Sequence, residues 1–131
     1  MTPYSALVLG ATGNVGGAIV DPPQAKLDVD GAIEATMFLV RSDSRLKENV
    51  REIPNALDRL LKLRGVRFDW KNRSEMPKGT DELGFLAQEV EQVFPEAVRT
   101  SSGTGLKSVG YGNLIAPLVE AFKSQQEIFL R

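Results

Sequence analysis

The chain contains no cysteine and no histidine. The first absence removes disulfides, so redox chemistry says nothing about the compartment. The second removes Ser-His and Cys-His nucleophilic pairs and, with cysteine also missing, the usual zinc ligand sets. Any catalysis must come from Ser, Lys, Asp, Glu, Tyr or backbone groups. A surplus of positive charge is missing too. With 16 Lys and Arg against 17 Asp and Glu, the formal net charge is -1. Little is left to neutralise a phosphate backbone, and nucleic acid is not an expected partner. No apolar run reaches the roughly 18 residues of a membrane span, so a membrane is not expected either. The opening MTPYSALVLGA lacks the basic start of a signal peptide. At 131 residues there is room for one compact domain and a short appendage.

What is present first suggests a nucleotide site. Val8 to Gly17 read VLGATGNVGG, with glycines spaced somewhat like a dinucleotide fingerprint. That fingerprint needs a strand before the glycines, a helix opening on them, a returning strand and an acidic residue about 20 positions on. Tyr4 to Leu9 can supply the strand, and Asp28 or Asp30 lies at a workable offset. The helix fails, because Pro22 and Pro23 end it after about two turns, too short for a parallel crossover. A collagen reading of Gly10, Gly13 and Gly16 fails for want of proline in the triplets. No cofactor is expected.

The texture of the chain changes at Ser42. Residues 1 to 41 are poor in charge and rich in Gly, Ala and Val, with β-prone pieces at Leu27-Asp28-Val29 and Met37-Phe38-Leu39-Val40. Beyond the charged run SDSRLKENVRE, leucines at helical spacing predict a helix over 54–63, stopped by Gly65. Val66, Phe68 and Trp70 alternate with polar residues and predict a half-buried strand. A polar turn over 72–81, an apolar strand over 83–87 and a short helix over 88–94 follow, the last stopped by Pro95. Residues 97–99 and 107–109 flank SSGTG as a hairpin. Phe68, Trp70 and Phe85 read as core. The whole is an α+β pattern.

The last twenty residues are the most regular. Tyr111, Ile115, Leu118, Phe122, Gln125 and Phe129 are spaced 4, 3, 4, 3, 4. That alternation keeps one seam facing partner helices in a coiled coil, and it equally suits one amphipathic helix packed on its own domain. Pro117 must sit in the first turn or kink the helix.

Two resemblances organise these pieces. Asn14-Val15-Gly16 followed by 23–31, PQAKLDVDG, is similar to a repeat common before the C-terminal domain of phage tail fibres, with Gly17 to Val20 departing from it. Downstream, SDSRLK from Ser42, GVRFDW from Gly65, GFLAQEV from Gly84, PEAV from Pro95 and Val109-Gly110-Tyr111 occur in order. Together they resemble the endosialidase-type intramolecular chaperone family. The resemblance implies residues 1–41 as the end of a β-rich fibre stalk and 42–131 as the chaperone domain. It also implies an intertwined homotrimer ending in a coiled coil. Its partners are its own copies and the upstream stalk of a phage tail fibre or spike. The resemblance further implies a virion tail fibre or spike whose precursor is assembled in the host cytoplasm, with the released domain absent from the mature virion.

The family's chemistry falls on Ser42 as nucleophile and Lys47 as base, with the cut between Arg41 and Ser42. A serine hydroxyl needs an adjacent base near neutral pH. A lysine serves only when neutral, which from a solution pKa of about 10.4 requires burial to lower it by roughly three units. Closing subunits over the site supplies that burial, and cleavage then waits for assembly. Residues five apart on an ideal helix lie about 140° apart, so Ser42 is expected in extended or turn backbone, with any helix beginning later. By itself SDSRLK reads more readily as a helix cap, with Lys47 a solvated charge, and the other four blocks reverse that preference. Asp43 and Arg45 are expected to orient Lys47, to pair with a neighbouring subunit or to form a plain surface ion pair, and Gln88 and Glu89 to line the site or face a partner. Glu89 and Glu91 lie on different helix faces, so no glycosidase pair is read. Two other readings stay open: a structural trimerisation cap without cleavage and, remotely, a nucleotide-dependent oxidoreductase fragment.

Overall fold

The computed structural model describes residues 7–9, 15–16, 27–29, 31–71 and 81–131. In the N-terminal part three short strands form one sheet in the order β2-β1-β3: β1 (Leu7–Leu9), β2 (Val15–Gly16) and β3 (Leu27–Val29). β1 is antiparallel to β2, with Val8 opposite Gly16, and parallel to β3, with Leu7 opposite Leu27. This bears on the glycine loop. At Val15–Gly16, where a pyrophosphate-binding turn opens into a helix, the chain is a returning strand. The β-prone 27–29 is a strand as expected, but 37–40 is not, and Leu39 and Val40 are 87% and 88% exposed. β-propensity measures fit to a pleated, half-buried surface, and among the described residues no strand pairs with this segment.

Beyond Ser42 the elements are α1 (Ala56–Leu60), β4 (Val66–Phe68), β5 (Glu82–Gly84), α2 (Ala87–Val93), β6 (Val98–Thr100), β7 (Lys107–Val109) and α3 (Ile115–Phe129). 3-10 turns lie at Ser44–Leu46, Pro95–Ala97 and Tyr111–Leu114. β4 pairs antiparallel with β5, and β6 with β7, with Val98 opposite Val109. Mixed helices and small antiparallel pairs make this α+β, as the pattern indicates.

Three expectations need correction. The first helix is shorter than 54–63, because Asn55 adopts left-handed backbone (φ 55°) and the helix begins only after it. Its end tightens into i to i+3 bonds from Lys62 to Arg59 and from Leu63 to Leu60. Trp70 lies past the end of β4, 43% exposed, and stands edge-on to Phe68 with ring centroids 5.2 Å apart. The strand at 83–87 is shifted to Glu82–Gly84, with Leu83 pointing to solvent and Leu86 already capping α2. Of the polar turn expected over 72–81, residues 72–80 lie outside the described residues. Asp81 pairs with Arg67 across β4 and β5, with Nε to Oδ1 at 3.0 Å.

The core is small and lies between α2, the hairpin and the start of α3. Val90, Phe94, Ala97, Val98 and Leu114 are buried, with Leu60, Leu63, Phe85, Val93 and Val109 packed around them. Val90 and Phe94 are the largest fully buried side chains. Each contributes about 1.5–3 kcal/mol of apolar burial. α1 packs on α3, and Ala56 and Ala121, one from each helix, are buried, small enough for a close helix approach. Arg59 of α1 ties this layer to α2. Its guanidinium donates to the Val93 carbonyl (2.9 and 3.2 Å) and to Glu96 (2.5 Å), and lies 4.0 Å over the Phe94 ring. It thereby satisfies a carbonyl left orphaned at the end of α2.

α3 spends its buried positions on Leu114 at its cap, Pro117 and Ala121. Pro117 falls in the first turn, where its missing N–H costs nothing. The 4, 3, 4, 3, 4 seam lies on other positions. Ile115, Leu118, Phe122 and Phe129 are all more than half exposed. Packing within one chain therefore uses a different face from the seam. Tyr111 drops out of the seam, because it sits in the 3-10 turn before the helix and is engaged within the chain.

Candidate functional site

Ser42 lies in backbone without regular structure, and Asp43 is extended (φ -61°, ψ 134°). One 3-10 turn follows over Ser44–Leu46, and Lys47 is again extended (φ -121°, ψ 146°). Leu46 N–H donates to the Asp43 carbonyl at 3.0 Å and Lys47 N–H to the Ser44 carbonyl at 3.1 Å. Five residues of extended chain would hold the outer Cα atoms about 17 Å apart, and a regular helix would turn them away from each other. A single tight turn between extended flanks does neither. Lys47 Nζ donates to Ser42 Oγ at 2.6 Å. The helix-cap and dyad readings of SDSRLK thus coexist: Asp43 is the cap, and the turn it caps brings Lys47 to Ser42.

Asp43 accepts from the Arg45 backbone N–H (2.9 Å), from Nε (3.1 Å) and from a terminal guanidinium nitrogen (2.8 Å). The Arg45 guanidinium, then the Arg45 amide, hold the Asp43 carboxyl below the usual carboxylate range, and Asp43 pushes Arg45 up in turn. No residue from 41 to 51 is buried in the single chain. Two further bends mark the exit from this segment, left-handed Asn49 (φ 55°) and Asn55. Asparagine tolerates that region better than most residues, because its short side chain bonds locally. Arg51 donates to the Asn49 carbonyl at 3.0 Å.

The other expected site residues are placed elsewhere. Glu89 is held by Arg64 (2.6 and 3.3 Å), which it pushes up in pKa. Gln88 is exposed on α2. Glu91 forms a separate ion pair with Lys107 at 2.6 Å, so Glu89 and Glu91 answer to different cations. A groove of about 1060 Å³ runs where Val40, Ile53, Ile115, Ala116 and Val119 meet, and so joins the chain just before Arg41 to α3. Among the described residues no group of three or more acidic side chains is arranged to hold a metal ion.

Two positional features were not legible beforehand. Tyr111 Oη accepts from the Phe85 N–H at 3.0 Å, its ring 5.9 Å from that of Phe85. A Cβ on Gly84 would lie 2.6 Å from the same oxygen. A β-carbon there would have to displace the Tyr111 side chain, and this close approach ties the GFLAQEV segment to the V-G-Y segment. The Arg59 cluster likewise spans 34 and 37 residues, which no local pattern reports.

This site and fold define a class: a small α+β domain presenting a serine hydroxyl against a lysine amine at its N-terminal edge. Residues 42–99 match a peptidase family described as the chaperone of endosialidase. The chain carries a domain of that family. It is 41% identical over 95 residues, 70% of this chain, to the long tail fibre proteins of Enterobacteria phages K3 and T2. It is also 41% identical over 83 residues to myelin regulatory factor homolog 1 of Caenorhabditis elegans, covering 57% of this chain and 9% of that protein. The chain spans only 8% and 7% of the two fibre proteins.

Proposed function

We propose that this domain is the C-terminal chaperone of a phage tail fibre or spike, that it works as a homotrimer, and that it releases itself by cutting Arg41-Ser42. On this reading residues 1–41 are the end of the stalk and 42–131 the released domain. The stalk stays with the virion tail. The observation that carries the reading is the 2.6 Å contact between Lys47 Nζ and Ser42 Oγ, inside the block where the family match begins.

The chemistry balances with these two side chains and water. Neutral Lys47 takes the Ser42 hydroxyl proton along the contact the two atoms already share, and Oγ attacks the carbonyl carbon of Arg41. The attack closes a five-membered ring, since only Cβ, Cα and N of Ser42 separate the two atoms. Lys47 returns the proton to the Ser42 nitrogen, the C–N bond breaks, and Arg41 is left as an ester on Ser42. Water hydrolyses the ester to an Arg41 carboxylate and a free Ser42 hydroxyl. Ser42 is then the new amino terminus.

Assembly supplies what one chain lacks. With 41–51 open to solvent, the single chain does not shield the Ser42-Lys47 pair from water. A neighbouring copy seated there strips that water. The exposed seam of Ile115, Leu118, Phe122 and Phe129 supports such association, since monomers rarely leave so continuous an apolar stripe uncovered. Intact-mass analysis of the purified chain tests the reading. A fragment beginning at Ser42 is expected from the wild type and none from Ser42→Ala or Lys47→Ala. Cleavage that persists in either variant excludes the dyad, and an intact wild-type trimer favours a structural cap.

A further inference from the structure

The dyad contact depends on a turn that neither Ser42 nor Lys47 builds. Two backbone bonds, Leu46 to Asp43 and Lys47 to Ser44, wind it, and both are available to any short 3-10 segment. What distinguishes this segment is Asp43. Its carboxylate takes the Arg45 backbone N–H, which the turn itself leaves without a partner, and it grips the Arg45 guanidinium with both oxygens. An isolated 3-10 turn of three residues is a poor structure in water, and this one contains no buried residue to hold it by packing. Side-chain capping is therefore the principal constraint on the separation of Ser42 and Lys47 within one chain.

We propose that Asp43 is a positioning residue for the cleavage: by capping the 44–46 turn it presents each chain's Lys47 to its own Ser42, so that the dyad is built within one subunit. Arg45 has the lesser part of holding the carboxylate in its capping rotamer. The neighbouring copies then contribute burial and not a catalytic side chain. This rests on the Ser42-Lys47 reading above and adds to it the residue that makes the pair and the chain that supplies it.

The capping role separates from a surface ion pair by substitution. Asparagine caps about as well as aspartate but pairs weakly with arginine, whereas alanine does neither. In trimers confirmed by size, the first-order rate of appearance of the Ser42 fragment is expected to fall roughly three- to thirty-fold in Asp43→Ala. Asp43→Asn is expected to stay within about threefold of wild type. Arg45→Ala should fall between, and exchanging the two residues, Asp43→Arg with Arg45→Asp, should not restore the rate, because arginine cannot accept the amide. Asp43→Ala cutting at the wild-type rate, or Asp43→Asn as slow as Asp43→Ala, overturns the proposal. If Asp43→Ala fails to assemble, the exchange variant decides: restoration shows an ion pair and overturns the cap. Co-assembled Ser42→Ala and Lys47→Ala chains are expected to remain uncut, and cutting in such mixtures overturns the single-subunit dyad. An uncut wild-type trimer sinks the parent reading instead, so the two failures are distinct.

Discussion

The turn at 42–47 and the core around Phe94 are held by opposite means. In the turn every bond spans five residues or fewer and no side chain is buried. In the core the decisive contacts reach 34 and 37 residues along the chain, from Arg59 to Val93 and Glu96, and the side chains of Val90, Phe94, Ala97, Val98 and Leu114 are buried. The candidate-site segment is thus geometrically local and energetically light, while the scaffold is long-range and carries the stability. A segment of the first kind can be closed over by another subunit without disturbing the scaffold.

The largest test of that separation is Phe94→Ala. Removing a fully buried aromatic from so small a core is expected to cost about 3–5 kcal/mol, read as a lower denaturant midpoint, whereas Ser42→Ala and Lys47→Ala should stay within about 0.5 kcal/mol of wild type. Equal losses at both places would show that turn and core are one cooperative unit. Next comes the seam. On the proposed function, Leu118→Glu with Phe122→Glu should convert a trimer to monomer, seen by light scattering, and abolish cleavage while circular dichroism keeps the helical signal, because neither side chain is buried within the chain. A monomer that still cuts itself would separate chemistry from assembly.

Gly84→Ala should cost about 1–3 kcal/mol, because its new methyl meets Tyr111 Oη at 2.6 Å and breaks the bond to Phe85 N–H. Combining it with Tyr111→Phe should be markedly less than additive, since both remove the same contact. The smallest effect is electrostatic. Burial pushes the Glu96 carboxyl up, but its own backbone amide and the Arg59 guanidinium outweigh that and leave it below the usual range. A depressed carboxyl contributes stability that is present above its unfolded value of 4.5 and is lost as pH falls through the lower folded value. Because the Glu96 side chain is 58% exposed, solvent screening limits this to a few tenths of a kcal/mol. Acid titration of Glu96→Gln should lack that increment, and an unchanged acid limb would show the pair contributes nothing.

Periodicity carried the scaffold well where one element sufficed to define itself. The hairpin at 98–109 and α2 stand within a residue or two of expectation, because their spacing and their stops are local, whereas α3 begins at Ile115, four residues after Tyr111, where the expected seam starts. Gly105 takes a positive φ (70°) in the hairpin loop, as a turn glycine should. Boundaries were lost where backbone conformation overrode composition. Asn55 in left-handed backbone cut short the helix that leucine spacing promised, and Met37 to Val40 has a strand-like composition but pairs with no strand among the described residues. Trp70 alternated like core yet lies beyond the end of β4.

The amino-acid sequence by itself determined which atoms are available: with no histidine or cysteine it left Ser, Lys, Asp, Glu, Tyr and backbone groups, and the family resemblance of SDSRLK then pointed to Ser42 and Lys47. It also determined that these two could not meet on a continuous helix, because backbone geometry forbids it whatever the surroundings. Only the tertiary structure decided which face of α3 is consumed internally, Pro117 and Ala121 and not Leu118 and Phe122. It alone placed Arg59 over Phe94, Gly84 under Tyr111, and Glu89 on Arg64. Those outcomes rest on residues distant in the chain competing for the same space, and such competition is resolved only when the chain has folded.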